Sequence, residues 1–135
     1  LPPALVTRGA AGCRLLGTKI TAMVGAPMTS HDPEAQAIVR QVLEQVDVDA
    51  AIRVGAAVHR YDLRQSAVQI DRPILMIRGE RDRSINNALG PTLETMANRP
   101  NFRLIDLPGA GHCANLDRPG AVRKLVTDFV TAAGT

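Results

Sequence analysis

With 135 residues, 45% of them hydrophobic and 21% charged, the chain has the size and apolar content of one modest folded domain and no sign of a disordered composition. Its net charge of +3 arises from Arg and Lys scattered among Asp and Glu, and 2% of its residues are aromatic, so it has neither the basic block nor the stacking platform of a nucleic-acid binder. No apolar run approaches the roughly 18 residues of a membrane span, and the two cysteines, Cys13 and Cys113, make neither a CxxC nor a metal-ligand spacing.

Free, reduced thiols in a cytoplasmic chain without a leader segment are therefore expected, with a core built from Val, Leu, Ile, Met and Ala. Residues 1–31 contain many Gly, Pro and Ala in weak periodicity, which predicts irregular structure with one short element across residues 13–24. In "DPEAQAIVRQVLEQV" Asp32 is placed to cap a helix and Pro33 to occupy its first position. Ala35, Ile38, Val39, Val42, Leu43 and Val46 then recur at helical spacing and form one apolar face. A weaker helix is predicted over residues 49–60, followed by the polar connector "YDLRQSAVQIDRP".

Beyond the connector the period changes. "PILMIRG" is a short apolar run closed by Gly79, the pattern of a strand covered on both faces. "GERDRSINN" reads as a loop and "NALGPTLETMAN" as a helix that Gly90-Pro91 shortens or kinks. "NFRLIDLPG" reads as a second strand with Asp106 at its polar end. Pro119 then opens a helix in which Val122, Leu125, Val126, Phe129 and Val130 repeat. Two strands joined by a helix imply parallel pairing. Because parallel sheets are covered on both faces and usually have more strands, and because the first residue is Leu rather than Met, the chain reads as part of something longer.

Ligands and reacting groups of open α/β sheets gather beyond the carboxyl ends of the strands. Asp82, in "GERD", and His112, in "GAGH", both fall there, on neighbouring strands. An Asp in that position can accept the imidazole Nδ1–H, fix the tautomer and leave Nε2 as a general base. The competing assignments are a loop histidine satisfied by backbone groups and a helix-preceding acid, with Glu80 as the near rival to Asp82. His31 and His59 are expected at the surface, and Cys113 as a partly buried spectator.

"IDRPILMIRGERDRS…NFRLIDLPGAGHCANLDRPGAVRKLVTDFV" resembles the C-terminal end of the α/β-hydrolase fold family of serine-hydrolase type. There, a Pro–strand–GxxD segment carries the triad acid, and a GH loop before an amphipathic helix carries the triad histidine, in the order nucleophile, acid, histidine. The resemblance covers residues 68 to 131 and implies Asp82 as the acid and His112 as the base. Residues 1–67 correspond by position and helical character to a cap or lid segment, and residues 68–135 to the C-terminal part of the core. The family's G-x-S-x-G elbow is not among these residues; Ser30, Ser66 and Ser84 lack the flanking glycines, and Ser84 shares the loop of the acid.

A partial α/β-hydrolase fold is therefore expected, with two parallel strands, flanking helices and a helical cap segment. The resemblance implies hydrolysis of an ester-like small-molecule substrate, with no metal and no organic cofactor, and little turnover by the chain alone. The alternative is a non-catalytic, truncated or interaction module that retains the hydrolase scaffold. In either case, an exposed sheet edge favours self-association.

Overall fold

A computed structural model of the chain describes residues 3–58 and 60–134, with side chains described from residue 14 onward. The expectations for His59 and for the Cys13 side chain fall outside these residues. Two compact units form, Leu1–Asp62 and Leu63–Thr135.

The first unit comprises α1 (Pro3–Thr29), α2 (Pro33–Glu44) and α3 (Val48–Val58). Of the residues 1–31 expected to be irregular, Pro3–Thr29 is instead helix, interrupted at Gly17, whose φ of 77° is non-helical. Ala is the best helix former, and tertiary packing overrides the weak local pattern: α1 packs against both α2 and α3. Its buried face is made of the small residues Ala22 and Ala26, and the Leu43 side chain of α2 lies against Gly25. Asp32 caps α2 as its sequence predicts, its Oδ1 accepting the Glu34 and Ala35 amides at 3.0 Å each. Of the apolar face read in α2, Ala35 and Val39 are buried while Ile38 and Val42 stay exposed. His31 is exposed.

The second unit runs α4 (Arg64–Val68), β1 (Ile74–Gly79), α5 (Arg83–Ala88), α6 (Gly90–Met96), β2 (Phe102–Leu107), α7 (Ala114–Asp117) and α8 (Pro119–Ala133). The two strands pair in parallel, Ile74 opposite Phe102 through Gly79 opposite Leu107. Asn101 fixes the register at the strand entrances: its side-chain amide donates to the Ile70 and Arg72 carbonyls at 2.8 Å, and its own carbonyl accepts from Ile74 N at 2.7 Å.

Three local readings change. The polar connector contains the single turn α4. The helix expected over residues 87–98 is two pieces, because Pro91 lacks the N–H that would continue α5, and α5 itself starts inside the expected loop. A further turn, α7, lies between the Gly-rich loop and α8. The core of this unit is Leu107, Ala110 and Ala114, with Ile77, Val122 and Leu125 packed against it. On α8, Val126 and Val130 stay exposed. Among the described residues no helix is long and apolar enough to cross a membrane.

Candidate active site

Parallel pairing brings the carboxyl ends of β1 and β2 side by side, so the loops that follow them meet. The ladder continues past the strands, Glu80 N donating to Leu107 O at 3.1 Å and Arg81 N to Ala110 O at 2.9 Å. This closeness requires Gly79. A Cβ there would stand 2.0 Å from the Gly111 carbonyl oxygen and 2.6 Å from that of Ala110. Gly109 takes φ +71°, the left-handed region that L side chains rarely adopt, and turns the second loop back toward the first.

Asp82 and His112 come together at this junction. The His112 Nδ1 lies 2.6 Å from Asp82 Oδ2. The Asp82 side chain is 10% exposed and the His112 side chain 53%, so the acid is enclosed while the ring remains reachable. The other Asp82 oxygen is also engaged, accepting from the Ile85 amide as the cap of α5 and from the Ser84 hydroxyl, both at 3.3 Å. A carboxylate held on several sides presents Oδ2 to the ring in one orientation.

Glu80, the rival acid, faces elsewhere: its Oε2 accepts the Gly109 amide at 2.9 Å. Cys113 is a free, partly buried thiol. Burial pushes its pKa up, and the charges of Asp117 and Asp82 add to the effect, which opposes the thiolate a nucleophile would need. Asp106 stands beside Arg78 across the two strands, its Oδ2 accepting from Arg78 Nη2 at 3.2 Å. Among the described residues no group of three or more His, Cys, Asp or Glu is arranged to hold a metal ion.

One participant has no signature in the sequence. Asp117 is 4% exposed, and its Oδ2 accepts the Gly111 amide at 2.6 Å. A lone acid before Arg-Pro resembles any turn residue, and only the path of the chain shows that it is buried.

Comparison with known proteins agrees with this architecture. No protein-family model matches the chain. A crystal structure of the enol-lactonase from Burkholderia xenovorans LB400 superposes with a TM-score of 0.79 over 96% of this chain at 27% sequence identity. That protein is an α/β-hydrolase. The chain has a partial α/β-hydrolase fold. The chain is also similar to the 2-(acetamidomethylene)succinate hydrolase of Mesorhizobium japonicum, 30% identical over 83 residues, or 62% of this chain. The chain spans about half of the enol-lactonase structure, 51%, and the match to the succinate-derivative hydrolase covers 29% of that protein.

Proposed function

We propose that this chain carries the acid and base of an α/β-hydrolase that cleaves an ester or related carbonyl substrate through a nucleophile–His–Asp triad, with His112 as base and Asp82 as its orienting acid. The observation that carries the reading is the 2.6 Å contact between His112 Nδ1 and the Asp82 carboxylate, made where two parallel strands end. With Nδ1–H donated to Asp82, the His112 Nε2 lone pair takes the proton of a nucleophilic hydroxyl as that oxygen attacks the substrate carbonyl. The imidazolium returns the proton to the leaving oxygen, and an acyl-enzyme remains. A water, deprotonated by Nε2 in turn, adds to the acyl carbon and releases the acid, restoring the nucleophile. Asp82 stays ionised throughout and stabilises each imidazolium.

The nucleophile lies outside these residues, since no G-x-S-x-G occurs in the 135. In this reading residues 1–67 form a helical cap segment and residues 68–135 the acid- and histidine-bearing part of the core. The similar proteins, a hydrolase of 2-(acetamidomethylene)succinate and an enol-lactonase, favour a small molecule cleaved at a carbonyl as the substrate.

The test is to join the chain to the nucleophile-bearing strands of a related hydrolase and assay ester and lactone hydrolysis. His112→Ala should lower kcat by about 10⁶-fold and Asp82→Asn by about 10⁴-fold. A folded, active fusion indifferent to His112→Ala would sink the proposal.

The two-stranded sheet favours a second reading, a non-catalytic module that keeps the scaffold and self-associates through its sheet edge. Each strand has one partner strand among the described residues, leaving an edge open to another copy. Under this reading light scattering of the chain finds a concentration-dependent dimer, and the fusion gains no His112-dependent activity.

A further inference from the structure

We infer that Asp117 is a positioning residue, whose buried carboxylate anchors the Gly111 amide and so holds the adjacent His112 in reach of Asp82. The inference rests on the acid–base reading of His112 given above.

The loop leading to His112 would be loose by composition, with glycines at 109 and 111. Yet the backbone of each of residues 109–111 is tied down, Ala110 O and Gly111 N being the two ends of one peptide. Gly109 N donates to Glu80 Oε2 at 2.9 Å, Ala110 O accepts from Arg81 N at 2.9 Å, and Gly111 N donates to Asp117 Oδ2 at 2.6 Å. The three ties are not equal. Glu80 is exposed, so solvent competes for its bond. Asp117 is 4% exposed beside the packed cluster of Leu107, Ala110 and Ala114, where a charge-assisted bond is strong and an unpaired carboxylate oxygen is costly.

Asp117 is itself fixed from the other side of the histidine. Its amide and that of Leu116 both donate to the Cys113 carbonyl at 2.9 Å, winding α7 directly after His112. The bond from Gly111 to Asp117 therefore closes a small ring of chain with His112 inside it. Without that closure the residue before His112 has no side chain to restrict it, and a displacement of about 1 Å removes the hydrogen bond to Asp82.

The experiment reads the tautomer of the His112 ring by long-range ¹H–¹⁵N NMR of the 135-residue chain, at a pH where imidazole is neutral. The wild-type ring should carry its proton on Nδ1, donated to Asp82. In Asp117→Ala the ring should revert largely to the Nε2–H form that imidazole favours in water, while the β1–β2 cross-peaks persist. Asp117→Asn keeps an oxygen acceptor but loses the charge. It should show partial reversion, and its Gly111 amide should exchange about tenfold faster than in the wild type.

If Asp117→Ala does not fold, Asp117→Asn decides. A wild-type tautomer together with wild-type Gly111 exchange in that variant overturns the inference. An Nε2–H ring in the wild type overturns the acid–base reading and this inference together. A wild-type Nδ1–H ring that neither variant disturbs overturns the positioning role alone.

Discussion

At the scale of single residues, the Asp82 carboxylate serves a helix and a ring at once: one oxygen caps α5 and the other meets His112. The two uses can be separated by substitution. Asn is as good a cap as Asp, so Asp82→Asn should leave urea-unfolding stability within about 0.5 kcal/mol, whereas Asp82→Ala should cost about 1 kcal/mol. The proposed triad chemistry should suffer in both. Gly79 contributes no functional group, yet nothing larger fits, because its Cβ would stand 2.0 Å from the Gly111 carbonyl. Backbone must move to admit it, so Gly79→Ala should cost about 3 kcal/mol in urea unfolding and separate Asp82 from His112. Persistence of the ring's Nδ1–H form in that variant would contradict the close approach of the two loops.

At the scale of elements, the strand pair carries a cross-strand ion pair on its solvent side, Arg78 with Asp106. The guanidinium hydrogen bond holds the Asp106 carboxyl below its ordinary value, and the charge of Arg78 adds to this against the opposing effect of burial. A lowered folded-state value means that the pair's contribution is present above the ordinary carboxylate pKa of about 3.9 and is lost as the pH falls through the folded value. Asp106→Asn should therefore flatten the acid limb of the stability curve below about pH 4 and leave its neutral-pH shape unchanged; a parallel displacement of the whole curve would contradict this. Half of the Asp106 side chain is exposed, 52%, so the effect should be small.

The two strands are readable from sequence because each is a compact apolar run with turn residues beyond it. Asp82 and His112 are readable because parallel strands must end on one side. The first helix is not readable, since its stability comes from α2 and α3 rather than from its own Gly- and Pro-containing sequence. Nor is α7, a single turn below the length at which periodicity has meaning. Asp117 escapes for a related reason: the burial of a polar residue is a property of what surrounds it, and its partner is a backbone amide that no side-chain pattern encodes.

At the scale of the whole molecule, the chain divides into two compact units, one helical and one built on the strand pair. Each has a small core of its own, Ala22, Ala26, Ala35 and Val39 in the first and Leu107, Ala110 and Ala114 in the second. Hydrogen exchange in urea should therefore find the most protected amides of each unit around these residues, and a slowest-exchanging core elsewhere in either unit would contradict this. The contacts that join Asp82 to His112, including those of Glu80, Arg81, Gly109 and Asp117, all arise from one uninterrupted stretch, residues 79–117. Such a stretch behaves as a genetic cassette. A recombination joint placed before β1 or after α8 would carry the acid–histidine pair intact into a new protein, whereas a joint between 82 and 112 would hand its two members to different descendants.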